Sequence, residues 1–248
     1  MTTKLNSLLI LTAMVCALRL SAQTNSSAPP GSSAPSAACV PATRENPKNW
    51  MSRHEKFVTQ AKRGGIDILF MGDSITDNWR SKGSNVWNEY YAPRHAANFG
   101  IGGDRTQHVL WRIENGELDG IHPKVTVLMI GTNNSKSDAA DDIARAIGMI
   151  IDVMHTKIPE TKILLLAIFP RNRSTDTPEM QETIRAVNRK IAGYDNGGNV
   201  RFLDIGAKFL GTDGKVHEDV MADYLHPTEK GYKIWAAAME PTLDEMMK

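Results

Sequence analysis

Cysteine is nearly absent, with only Cys16 and Cys39 among 248 residues. Two thiols exclude a disulfide framework and the clustered thiolates of a structural zinc site. No H-E-x-x-H and no clustered Cys/His spacing occurs, so a metal-dependent hydrolase is not expected. The phosphate-cradling G-x-x-x-x-G-K-[ST] is missing, and Gly100-Ile-Gly-Gly-Asp-Arg105 does not complete G-x-G-x-x-G, which sets aside a nucleotide-binding protein. Neither charge dominates: 29 basic against 28 acidic residues leave a net charge of +1. Without a basic field there is no argument for nucleic acid, and without an acidic excess none for a solvating chain. No apolar run reaches the roughly 20 residues of a spanning helix, and no internal repeat is found.

What is present begins with a leader. Lys4 supplies a positive start, Leu8 to Leu18 is apolar, and Leu20-Ser21-Ala22 offers small residues before Gln23. Residues 1–22 therefore read as a signal peptide, and the protein as secreted or periplasmic. Cleavage would remove Cys16 and leave Cys39 alone, so no intramolecular disulfide is expected. Lipid anchoring through Cys16 is the less favoured alternative, because Ala13-Met14-Val15 lacks the small residue that attachment usually wants. Residues 23–45 are rich in Ser, Ala and Pro, a composition that buries too little surface to offset chain entropy, and are expected to form a disordered linker. The folded domain is then 46–248, and a hydrophobic share of 41% is enough for one sizeable core.

Within that domain, apolar runs alternate with amphipathic stretches. Ile66 to Met71, Ala96 to Phe99, Val125 to Ile130, Lys162 to Phe169 and Val200 to Ile205 read as strands. Between them, helical spacing predicts a short helix around His54 to Ala61, then Thr106 to Asn115, Ala140 to His155, Met180 to Ile191 and a terminal Lys230 to Met247. Trp79, Val86, Trp87, Tyr90 and Tyr91 form an irregular aromatic segment that fits packing against the sheet better than a substrate pocket. Such alternation predicts an α/β fold, a mostly parallel sheet sandwiched by helices.

Three of the strands end in polar, glycine-rich segments: Gly72-Asp73-Ser74, Gly100 to Asp104, and Gly131-Thr-Asn-Asn134. In a parallel sheet such loops converge at the carboxyl edge, where open α/β sheets keep their chemistry. Ser74 is the candidate nucleophile. Asp223 and His226, three residues apart before the last helix, can share one turn, the carboxylate orienting the imidazole while Nε2 faces Ser74. The backbone N–H groups of Ser74 and Gly103 and the side-chain amide of Asn133 are candidate oxyanion donors, Gly103 leaving room for a substrate carbonyl. Taken singly, each piece has a plainer reading, since Gly-Asp-Ser is common turn chemistry and His226 is one of seven histidines. Their joint occurrence at strand ends favours a site. A G-x-S-x-G elbow is excluded because Thr76 stands where the second glycine would be.

These four blocks resemble those of the GDSL, or SGNH, hydrolase family. Asn98-Phe-Gly-Ile-Gly-Gly-Asp-Arg-Thr106, His108-Val-Leu-Trp-Arg112, Asn115-Gly-Glu-Leu118 and Pro123-Lys-Val125 are similar to the catalytic subunits of brain-type platelet-activating-factor acetylhydrolase. The resemblance covers roughly Trp50 to Met247. It implies a flavodoxin-like three-layer α/β/α sandwich with about five parallel strands, and ester hydrolysis without cofactor or metal. It assigns Ser74, His226 and Asp223 to a catalytic triad and Ser74, Gly103 and Asn133 to an oxyanion hole. Family members often dimerise, and nothing in the sequence decides that here. The leader departs from the cytosolic animal enzymes, and Ile75-Thr-Asp-Asn-Trp79 is polar for a lipid pocket. The expected substrate is therefore a short acyl ester, with carbohydrate O-acetyl esters ahead of a lipid-directed acetylhydrolase or lysophospholipase. A non-catalytic glycan-binding descendant is the alternative of another class.

Overall fold

In the computed structural model, residues 35–45 and 47–248 are described. The expected signal peptide at 1–22 and the first part of the linker lie outside them. Five strands form one sheet: β1 (Ile68–Gly72), β2 (Ala96–Asn98), β3 (Val125–Met129), β4 (Lys162–Leu166) and β5 (Val200–Leu203). All pairings are parallel and the order is β2-β1-β3-β4-β5. The helices are α1 (Lys48–Arg63), α2 (Ser74–Asp77), α3 (Ser84–Tyr90), α4 (Thr106–Arg112), α5 (Ala140–Lys157), α6 (Pro178–Ile191) and α7 (Glu229–Met246).

The period of two along β1 sorts the layers. Leu69 and Met71 point into a core built with α1, α4, α5 and α6, whereas Ile68 and Phe70 meet Trp79, α3 and α7 on the other face. Both faces are covered, which explains why β1 and β3 are buried at every position and read as apolar runs, with Thr126 the one polar side chain in β3. This is the expected three-layer α/β/α sandwich. Chain order reverses between β1 and β3, so their carboxyl ends open the crevice where such sheets bind ligands. No helix among the described residues is long and apolar enough to cross a membrane.

Two expectations need correction. The linker does not extend to residue 45: Ala38 and Cys39 are buried against α5, and the Thr106 hydroxyl donates to the Ala38 carbonyl at 2.8 Å. Ser, Ala and Pro are poor core formers when counted by composition. A segment of small residues nevertheless fits closely where a neighbouring helix offers a groove and satisfies its backbone. The aromatic segment is also more regular than expected. It contains α3, and Trp79 packs edge-on or tilted among Phe70, Tyr91, Tyr232 and Trp235 with ring centroids 4.3–6.1 Å apart. Packing is the part of that reading that holds, for Trp79 and Tyr91 are fully buried.

Candidate active site

Ser74 opens α2, directly after β1. Asp73 caps this short helix, its Oδ1 accepting the Ile75 N–H at 2.9 Å. The helix is also held from outside, because the Tyr232 hydroxyl donates to the Ile75 carbonyl at 2.7 Å and Asn98 Nδ2 to that of Thr76 at 2.8 Å. Asp73 is deeply buried and its Oδ2 has no hydrogen-bond partner among the described residues. Burial pushes its carboxyl up to about 7, opposed by the Ile75 N–H and reinforced by Asp104.

Ser74 Oγ lies 2.8 Å from His226 Nε2. The other ring nitrogen, Nδ1, is 2.9 Å from Asp223 Oδ2, while Asp223 Oδ1 accepts the His226 backbone N–H at 2.8 Å. One carboxylate thus fixes both the backbone and the ring of the histidine, of which the spacing of three predicted the contact to the ring. Partial burial works against the Asp223 charge, yet the His226 backbone and ring bonds, with Arg173 nearby, hold its carboxyl below the usual range. The turn has a cost: Tyr224 sits at φ +58, a region that side-chain-bearing residues seldom adopt. Burial of Leu225, the Asn172 N–H on the Tyr224 carbonyl at 2.9 Å and the N-cap of α7 by Thr228 fix it there.

Of the three expected oxyanion donors, one belongs to Ser74 itself, and Gly103 follows Gly102, where a Cβ would lie 3.6 Å from Ser74 Cβ. The backbone N–H groups of Ser74 and Gly103 have no acceptor among the described residues. Asn133 Nδ2 donates to the Asp104 carbonyl at 2.8 Å, which anchors this amide beside Gly103 and leaves its second N–H available. Gly103 has a conformational reason to be glycine, besides any space it leaves for substrate. Its φ is +79, and a Cβ there would come within 3.0 Å of Arg44 Nη2.

Arg44, placed in the linker by composition, is the main residue that sequence reasoning missed. Its Nη2 donates to the Gly102 carbonyl at 2.6 Å and to Asp104 Oδ1 at 3.0 Å. Asp104, fully buried, also accepts Trp50 Nε1 at 2.8 Å, and Arg112 Nε stands 2.9 Å from its Oδ2, too far out of line for a hydrogen bond. Behind it, Arg112 reaches Glu117, which His54 Nδ1 contacts at 2.9 Å. Asp77 was missed as well. Its Oδ2 accepts the Gly102 N–H at 3.1 Å, and a Cβ at Gly102 would lie 3.6 Å from both that oxygen and Ser74 Cβ. Burial opposes its charge, but the Arg53 fork and the charges of Arg53 and Arg80 hold the carboxyl below the usual range. A cavity of about 590 Å³ adjoins the site, lined by His226 and Asp223 with polar Asn78, Ser81, Lys82 and Glu229 among others. The somewhat larger hollow of about 660 Å³ beside α5 and Tyr194 contains none of these residues.

Residues 70–234 match the GDSL-like lipase/acylhydrolase family. The platelet-activating factor acetylhydrolase IB subunit alpha2 of Rattus norvegicus is 39% identical over 183 residues, covering 74% of this chain and 78% of that protein. Its alpha1 counterpart from the same organism is 38% identical over 187 residues, covering 74% and 77%. Among solved structures, a GDSL-like lipase from Bacteroides thetaiotaomicron superposes with a TM-score of 0.62 at 19% identity, covering 81% of this chain and 98% of the other. A catalytic mutant of an acetylxylan esterase from Geobacillus stearothermophilus gives 0.57 at 20% identity, covering 74% and 94%. At such identities the two structures speak for the fold alone. The family match and the sequence relatives, joined to a serine, histidine and aspartate in hydrogen-bonded series, identify the chain as a member of the GDSL-like lipase/acylhydrolase family and a carboxylic ester hydrolase of acetylhydrolase-like type.

Proposed function

We propose that the protein hydrolyses acetyl and other short-acyl esters, carbohydrate O-acetyl esters first, with Ser74 as nucleophile, His226 as base and Asp223 as orienter. The observation that carries this reading is the unbroken series from Ser74 Oγ through the His226 ring to Asp223, at 2.8 and 2.9 Å. Neutral His226 accepts the Ser74 proton as Oγ attacks the acyl carbon. Ser74 N–H, Gly103 N–H and the second Asn133 N–H receive the oxyanion, and the imidazolium then protonates the departing alcohol. Water follows the same route to release the acid and restore Ser74.

The preference for a sugar alcohol is supported by the polar side chains of Asn78, Ser81, Lys82 and Glu229 in the cavity beside His226, and by the surface. Val40 and Leu210 are the only large hydrophobic residues exposed among the described ones, so no broad apolar patch offers a lipid its chain a resting place. A lipid-directed acetylhydrolase is the second reading, favoured by the 39% identity to the platelet-activating factor acetylhydrolase subunit. Acetate release from a panel of acetylated sugars and acetylated phospholipids separates the two, with the sugars expected to be the faster. Wild type should also cleave 4-nitrophenyl acetate and Ser74→Ala should not. Equal background rates from both would leave a glycan-binding protein without catalysis. We also propose export, on the strength of Lys4, the apolar Leu8 to Leu18 and the small residues before Gln23. A mature N-terminus at Met1 in the fractionated host would refute it.

A further inference from the structure

Beyond the triad, the surface next to Ser74 carries a concentration of positive charge that the chemistry above does not use. A cavity of about 450 Å³ is lined by Arg53, Lys56, Phe57, Asp77, Asn78 and Arg80, together with Ser81. Three cations face one carboxylate there, a net charge of +2. Asn78 and Ser81 also line the cavity that holds His226 and Asp223, so the two hollows meet across these residues.

Part of this charge has a structural task and part does not. Arg53 spends two nitrogens on Asp77, each at 2.7 Å, and one of them also on the Gly100 carbonyl at 3.0 Å. Arg80 uses only Nη1, toward Asp77 and the Gly100 carbonyl, so its Nε and Nη2 are left without a partner among the described residues. Lys56 makes no hydrogen bond or ion pair with any described residue, and it is exposed. Both guanidinium groups rest on the Phe57 ring, 5.6 and 5.3 Å from its centroid, which holds their planes in place before any ligand arrives.

We infer that this cavity is an anion subsite that receives a carboxylate or phosphate carried on the alcohol moiety of the ester, an inference that rests on the esterase reading of Ser74. Guanidinium forks match either group, and the shared wall of Asn78 and Ser81 sets this cavity beside the one that holds His226. The substrate class this describes is an acetylated acidic or phosphorylated sugar rather than a neutral one.

Three probes that differ only at carbon 6 test it: a methyl glucoside, the matching glucuronide and the matching 6-phosphate, acetylated at one common ring position. In wild type at low salt, kcat/KM for both anionic esters should exceed that of the neutral ester by about fivefold, the upper range for half-exposed ion pairs. The ratio should fall toward one in Lys56→Gln and in Arg80→Gln, and in wild type at about 0.5 M salt. A purely structural Arg80 would lower all three rates together and leave the ratio intact, which would overturn the inference, as would a wild-type ratio near one. Titration of Ser74→Ala with the acetylated glucuronide and glucoside supplies a readout that needs no turnover. If wild type hydrolyses nothing while the glucuronide still binds more tightly, the esterase reading fails and the subsite stands. Equal binding of the two sugars refutes the subsite.

Discussion

Removing the Arg44 guanidinium should slow catalysis far more than it destabilises the fold. Its Nη2 joins the Gly102 carbonyl and the buried Asp104 carboxylate, and the planar group fills the space where Gly103 lacks a Cβ. It therefore clamps the loop on both sides of one oxyanion donor. A hydrogen bond to a charged group is worth about 1.5–3 kcal/mol, and partial exposure of Arg44 lowers the figure to about 1–2 kcal/mol for Arg44→Ala. Asp104 keeps Trp50 and Arg112, so its charge is not stranded. Activity is more sensitive, because one oxyanion donor contributes about 10²–10³ in rate only when it is correctly aimed. A loosened Gly103 N–H should forfeit part of that, lowering kcat about tenfold to a hundredfold with KM little changed. Arg44→Lys keeps the charge but loses the flat face over Gly103, and should fall between. Initial rates on 4-nitrophenyl acetate and thermal unfolding of the same preparations provide the check. If Arg44→Ala melts earlier yet turns over at the wild-type kcat, the segment before α1 is a brace for the fold and the reasoning about the donor is wrong.

Two further outcomes follow from the same geometry. Asn133→Ala should lower kcat at least tenfold with a much smaller change in KM, since its free N–H acts on charge that develops at the transition state; a pure KM effect would assign Asn133 to substrate binding. For Asp73, a folded-state value of about 7 against an ordinary 3.8 means that the native protein holds a proton which the unfolded chain gives up. Stability from this group is greatest below about pH 4 and is lost as pH rises to about 7, roughly three decades at about 1.4 kcal/mol each, or on the order of 4 kcal/mol. Asp73→Asn keeps the acceptor for the Ile75 N–H and has no charge to bury, so urea unfolding should show it gaining on wild type between pH 4 and 7. A constant difference across that range would mean that Asp73 is ionised throughout.

The strands and most helices could be read from periodicity because burial on both faces leaves a strong trace. Ile68 to Met71 is apolar throughout, Val125 to Met129 is apolar but for Thr126, and α5 repeats isoleucine at helical spacing. Site residues were legible for a different reason. A nucleophile, an acid–base pair three residues apart and glycine-rich strand ends need particular residue types at particular places, and those types are rare together. Arg44 and Asp77 left no such trace. Each acts on the Gly102–Asp104 loop from a distant point in the chain, Arg44 from 58 residues away, and a surface arginine or aspartate is unremarkable in composition. The conformational reason for a glycine at 103 was hidden too, because its φ and its arginine neighbour exist only in the folded chain.

The same loop explains why charges are buried behind the site when apolar side chains would pack as well there. Replacing a buried ion pair by hydrophobic residues is often neutral or stabilising, so stability alone does not call for Asp104, Arg112, Glu117 and His54 together. What the network does is join four separate segments: α1 through Trp50 and His54, the segment before it through Arg44, the loop through Asp104, and the end of α4 with the turn after it through Arg112 and Glu117. Where the join is a hydrogen bond, as from Arg44 and Trp50 to Asp104 and from His54 to Glu117, the partner accepts only one placement of its neighbour, because hydrogen bonds are directional where apolar contacts are not. The Gly103 N–H is therefore positioned from behind by charges and from the front by Arg44. Asp77 fixes the adjoining Gly102 N–H relative to the helix that begins at Ser74. Nucleophile and oxyanion donor thus share a frame that the strand ends alone would not make rigid.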